Sequence, residues 1–63
     1  MNTAETVAAL RPAVVADLTD ARDAFHVGTL CRDEAMIAAS LAKFRTLCDT
    51  LHGLGLSLAH FGA

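Results

Sequence analysis

The second half of the chain carries an apolar repeat that leaves few possibilities for its fold. One set of its members recurs every seven residues, and a second set stands three residues after the last three of the first: Ile37, Phe44, Leu51 and Leu58, then Leu47, Leu54 and Phe61. This spacing predicts one face of a long helix. Leu41 and Cys48 widen that face, so it carries more apolar surface than one short helix of the same chain can cover.

The first half has an amphipathic pattern of its own. Apolar residues follow one another at spacings of 3, 4, 4, 3 and 4, namely Val7, Leu10, Val14, Leu18, Ala21 and Phe25. This period is close to that of an α-helix and predicts a helix over about 3–26. Asn2 is a suitable N-cap. Pro12 removes an internal hydrogen bond, so we expect the helix to be kinked or loosely broken near Pro12.

The boundary between the two halves is predicted from Gly28, because glycine is common just beyond a helix end. We expect a turn at about 27–30, after which either Thr29 or Asp33 can cap the next helix. The second helix is predicted over about 31–61. Gly53 and Gly55 leave residues 53–63 open to a short strand or to disorder, whereas the continuing heptad favours helix.

Two helices joined by a short connection pack antiparallel, so the predicted fold is an all-α helical hairpin forming a single domain over 1–63. A bend near Gly28 sets residues whose numbers sum to about 58 opposite each other. The predicted intrachain core is Val7, Leu10, Val14, Leu18, Phe25, Ile37, Leu41 and Phe44. The first helix then leaves part of the second uncovered, and the predicted interface with another chain is Leu47, Leu51, Leu54, Leu58 and Phe61. A symmetric homodimer forming a four-helix bundle would cover it.

Composition narrows the class of protein. The 63 residues are 54% hydrophobic, and a core this small commonly needs a partner, a metal or disulfides to be stable. A net charge of −2 with scattered basic residues makes nucleic-acid binding an unfavoured prediction. The N-terminus lacks the regions of a secretory signal, and no apolar stretch approaches the length of about 20 residues needed for a membrane span. Two unpaired cysteines suit a reducing compartment, so the predicted localisation is cytoplasmic.

Few residues suggest chemistry. Cys48 and His52 stand four apart, a spacing that can bring two ligands onto one metal. Cys31 lies 17 residues before Cys48, roughly 25 Å along a helix, and cannot complete that site. The three histidines form no serine–histidine–carboxylate arrangement. We therefore expect a protein that is not an enzyme and has no cofactor.

The predicted function is association itself. The sequence favours a small non-catalytic interaction or regulatory protein of bacterial type. It would act through homo- or hetero-association of its apolar second helix. One alternative is a dimeric helical nucleic-acid-binding regulator that uses Arg11, Arg22, Lys43 and Arg45. A second alternative is a metal or haem carrier that uses Cys48 and His52. The identity of the partner does not follow from the sequence.

Overall fold

Two α-helices pack against each other in the computed structural model, which describes residues 2–62 of the chain. Helix α1 spans Thr3–Cys31, helix α2 spans Glu34–Gly53, and a 3₁₀ turn follows at Leu58–Phe61. The described residues contain no β-strand. The predicted all-α hairpin is therefore confirmed, while the two ends of the predicted domain, residues 1 and 63, lie outside the described residues. No helix within residues 2–62 combines the length and apolar character that crossing a membrane requires.

Helix α1 is a single helix that runs through its proline. Its start is capped as expected, because the Asn2 side chain accepts a hydrogen bond from the backbone N–H of Glu5 at 2.8 Å. Pro12 lies inside the helix, and both Pro12 and Ala8, whose carbonyl loses its usual donor, are exposed. Solvent can satisfy that carbonyl. Of the two predicted effects of Pro12, a kink or a break, the break is wrong, because α1 continues through it.

The turn between the helices lies later than predicted. Helix α1 ends at Cys31 rather than near residue 26, and Arg32 adopts a left-handed conformation with φ of 55°. The N–H of Asp33 donates to the Gly28 carbonyl at 2.9 Å and that of Arg32 to the Thr29 carbonyl at 3.3 Å, which is the Schellman arrangement. The Asp33 side chain then accepts the N–H of Met36 at 3.1 Å and caps α2. Of the two predicted caps, Asp33 is correct.

Gly28 has a packing role instead of a terminating one. It is buried inside α1, and a Cβ built there would lie 3.0 Å from Ile37 Cγ1 and 3.2 Å from the Ile37 backbone nitrogen. Only glycine lets the two helices approach this closely just before the turn. The prediction that Gly28 ends the first helix is therefore wrong. A glycine is needed at this position because α2 packs too closely against it for a side chain.

This close approach gives a testable prediction. We expect Gly28→Val to lower the free energy of unfolding by about 1–3 kcal/mol, because the added methyl groups overpack the contact with Ile37. Gly53→Val is the matched control, since a Cβ at Gly53 meets no atom within 4 Å. Urea denaturation of both variants measures the difference. Equal losses would mean that the cost comes from placing a β-branched residue in a helix, and not from packing.

The later turn changes the pairing of the helices by about one heptad. Gly28 lies against Ile37, and Lys43 reaches Asp20, so facing residues have numbers that sum to about 63–65 instead of 58. A shift of seven keeps the same helix faces in contact, because the apolar pattern repeats every seven residues. It nevertheless gives every residue a different partner.

The core lies toward the end of the hairpin far from the turn. It consists of Val7, Val14, Leu51, Leu56 and Phe61, with Leu10, Leu18, Leu47 and Leu58 packed against it. The predicted core residues Val7, Leu10, Val14 and Leu18 belong to this cluster, and Ile37 is half-buried. Phe25, Leu41 and Phe44 are instead exposed. Their assignment to the core is wrong, because the contact between the helices buries Val7, Val14, Ala21 and Gly28 of α1 with Ser40 and Leu51 of α2 and leaves these three side chains beside it.

The residues after α2 fold back over the hairpin. We call residues 54–62 the closing segment. Helix α2 stops at Gly53 and not near residue 61, Gly55 has a φ of 75°, and the N–H of Leu56 donates to the Leu51 carbonyl at 2.8 Å. Glycine permits this reversal, which places Leu56 and Phe61 in the core. The expectation that Leu58 and Phe61 would find no cover within the chain is therefore wrong.

Candidate functional site

A groove between the helices is lined mainly by apolar side chains, two of which are exposed. Its lining residues are Val15, Leu18, Thr19, Arg22 and Phe44, and its volume is about 380 Å³. We call it the apolar groove. Val15 and Phe44 are among the large apolar residues that the fold leaves exposed, together with Phe25, Val27, Leu30, Leu41 and Leu54. Single exposed apolar residues are ordinary, but a cluster around a concave site is typical of a binding surface.

Helix geometry explains why these residues stay uncovered. Val15 follows the buried Val14 directly, and a one-residue step turns the side chain by about 100° out of the contact with α2. Phe25 follows Leu18 by seven residues and Leu41 precedes Phe44 by three, so both lie on the groove side of their helices. We call Val15, Leu18, Phe25, Leu41 and Phe44 together the apolar face. Two packed helices cover only one stripe of each other, and this face is the stripe beside it.

The groove has two polar lining residues. Thr19 supplies a hydroxyl, and Arg22 supplies the positive charge at its edge. The Nε of Arg22 is 3.8 Å from Oδ1 of Asp23, and both side chains are mostly exposed. An exposed ion pair at this distance contributes about 0–1 kcal/mol. The guanidinium therefore keeps donors that can turn toward a ligand.

A second polar cluster holds the closing segment onto α1. The Nδ1 atom of His60 accepts the backbone N–H of Ser57 at 3.1 Å and lies 3.3 Å from Ser57 Oγ. Arg11 donates to the His60 carbonyl at 3.5 Å, and its guanidinium lies 5.9 Å from the centre of the Phe61 ring. For Ser57 to act as a nucleophile, the nearby Nδ1 of His60 would have to accept the proton of its hydroxyl. That nitrogen already accepts the backbone N–H of Ser57. This cluster therefore supports the fold.

The other basic side chains proposed for nucleic-acid binding have acidic neighbours. Nζ of Lys43 lies 3.3 Å from Oδ2 of Asp20, and Nε of Arg45 lies 4.0 Å from Oδ2 of Asp49. Together with Arg11 and Arg22 they are spread over both helices. Both pairs are largely exposed and therefore weak, so it is the scattering of the four basic side chains that disfavours a phosphate-binding surface.

The residues proposed for metal or haem binding gain no further ligand. Cys48 is half-buried, His52 is exposed, and the thiols of Cys31 and Cys48 are both free. Among residues 2–62, no three or more histidine, cysteine, aspartate or glutamate side chains are grouped to hold a metal ion. Two ligands alone do not make a zinc site of the usual kind.

The predicted interface is distributed differently from the apolar face. Leu51 and Phe61 are buried within the chain, Leu47 and Leu58 pack against the core, and Leu54 is exposed. The first four therefore offer little free surface to a partner. Sequence reasoning missed Val15, Thr19 and Arg22 as lining residues. The sequence feature that could have indicated one of them is the pair Val14–Val15. Only Val14 belongs to the apolar period of the first helix, so Val15 is an extra apolar residue outside the predicted core.

Comparison with family models, with curated proteins and with solved structures gives no match for this chain.

Proposed function

We propose that this chain is a non-catalytic association protein whose apolar face binds a second copy of itself, so that two hairpins form a four-helix bundle. The observation that supports it is the position of Phe44, an exposed aromatic side chain at an open groove with Val15 and Leu18. Aromatic residues in such positions commonly provide most of the energy of a protein interface.

The fold favours a partner on this side of the hairpin. The closing segment packs against α1 near Arg11, whereas Phe25 and Leu41 lie closer to the turn and have no such cover. A second hairpin packed there would bury the apolar face at roughly 25 cal/mol per Å² of apolar surface. It would add a third and a fourth helix to a core that is otherwise shared by two.

The same proposal includes a reducing compartment, the cytoplasm. Cys31 is exposed and Cys48 half-buried, and both are free thiols. Association through apolar packing requires no disulfide, which suits such a compartment.

Sedimentation of a matched pair of variants tests the proposal. We expect the wild-type chain to sediment as a dimer at micromolar concentration, and Phe44→Asp to weaken the dimer about thirtyfold or more, as replacement of a central aromatic residue does. Val27→Asp is the control. Val27 is 44% exposed and Phe44 is 42% exposed. Val27 follows the buried Ala21 by six residues, however, so it lies on a different side of α1 from the buried residues of that helix.

The outcomes separate cleanly. A dimer that persists in Val27→Asp and dissociates in Phe44→Asp supports the apolar face as the interface. A folded wild-type monomer at every concentration contradicts self-association. Equal effects of the two variants would contradict the apolar face as the specific interface, and circular dichroism checks that each variant keeps its helices.

A further inference from the structure

We infer that the apolar groove binds a free aliphatic carboxylate, with the hydrocarbon chain between the helices and the carboxylate on Arg22. This inference does not rest on self-association, because the groove is present within a single chain. It concerns a small molecule, whereas the proposed function concerns a protein partner.

The walls of the groove suit a hydrocarbon chain. Val15, Leu18 and Phe44 supply side chains with no polar atoms, contributed by both helices. Ligand sites combine such apolar linings with a small number of polar groups that fix the orientation of the ligand. The volume of about 380 Å³ is near the lower end of the range of about 300–1,000 Å³ for such sites. A single chain fits this space better than a lipid with two chains.

The positive charge of Arg22 at the edge of the groove favours a ligand with a negatively charged head group. Arg22 is the charged residue among those that line the groove, and Thr19 adds a hydroxyl. A guanidinium binds a carboxylate through two parallel hydrogen bonds and is less strongly hydrated than an ammonium group. Asp23 contacts Arg22 only at 3.8 Å in an exposed position, which leaves the competing intrachain attraction small. A cationic head group such as a quaternary ammonium has no acceptor atom for the guanidinium donors.

Titrations with three ten-carbon probes test this inference. Decanoate, decanol and decyltrimethylammonium share the apolar chain and differ in the charge of the head group. Binding is followed by NMR shifts of Val15 and Phe44, at a protein concentration at which the chain sediments as a monomer. We expect saturable binding in the order decanoate, decanol, decyltrimethylammonium.

Two arginine variants then locate the head group. Arg22→Gln is expected to weaken the binding of decanoate about fivefold, because it removes one exposed ion pair. The affinity for decanol is expected to stay unchanged. Arg45→Gln is the control, because Arg45 is exposed and faces Asp49 but does not line the groove. It is expected to bind all three probes as the wild-type chain does.

Three results would overturn the inference: no saturable shift at the groove, equal affinity for decanoate and decanol, or equal effects of the two arginine variants. Failure of self-association is recognised separately, because sedimentation without any probe reports it. If both ideas hold, decanoate occupies the surface that a second copy needs. Adding it to the dimer then increases the monomer fraction.

Discussion

Replacing Leu51 with alanine is expected to lower the free energy of unfolding by about 2–5 kcal/mol, the range for removing a fully buried leucine side chain. Leu51 is 2% exposed and is the largest side chain that the described residues bury completely. It joins the three parts of the core, since Val7 and Val14 come from α1 and Leu56 and Phe61 follow α2. Its loss leaves a cavity that none of these parts can fill alone.

The size of the chain makes this effect severe. A 63-residue chain has a small core, and total stabilities of native proteins are only about 5–15 kcal/mol. We therefore expect Leu51→Ala to be partly unfolded at room temperature, which urea denaturation and circular dichroism will show. Leu54→Ala is the matched control, because Leu54 is 56% exposed only three residues later. Similar losses in both variants would contradict the position of Leu51 at the centre of the core.

The faces of the two helices could be predicted from the sequence. Helical periodicity placed Val7, Leu10, Val14 and Leu18 on the inner side of α1, and all four belong to the core or pack against it. The cap at Asn2 was also predictable, because an amide side chain that precedes an amphipathic run has a specific hydrogen bond to make. Local chemistry determines these features, and no knowledge of distant contacts is needed.

The register could not be predicted in the same way. An apolar pattern with a period of seven looks the same after a shift of seven, so periodicity alone does not distinguish Ala21 from Gly28 as the partner of Ile37. The turn decides between them. Gly28 appeared to be a helix end because glycine serves there often, but in the fold Arg32 takes the left-handed position and Gly28 admits Ile37.

Two of the large aromatic side chains lie elsewhere than predicted. Phe44 was predicted in the core and lies exposed at the groove, while Phe61 was predicted at a partner surface and lies in the core. The closing segment accounts for Phe61, because the turn at Gly55 returns the chain to α1. Periodicity cannot show such a reversal, since Leu58 and Phe61 continue the heptad whether or not the helix continues. The apolar groove depends on contacts between distant residues and was therefore not predictable.

The position of Phe61 gives the second large effect. We expect Phe61→Ala to lower the free energy of unfolding by about 3 kcal/mol, the lower end for a core phenylalanine, because the closing segment can detach without unfolding the hairpin. Phe61 is 6% exposed, and Arg11 contacts both its ring and the preceding carbonyl. Hydrogen exchange should show the detachment directly, because the N–H of Leu56 would lose its bond to the Leu51 carbonyl.

Phe25→Ala is the control that separates the core from the apolar face. Phe25 is 44% exposed, so the same truncation removes less buried surface and should cost about 1 kcal/mol when the chain is monomeric. In the dimer its effect should appear as weaker association and depend on protein concentration, whereas the effect of Phe61→Ala on the Leu56 amide should not. A larger loss of monomer stability for Phe25→Ala than for Phe61→Ala would show that the closing segment does not cover the hairpin as described.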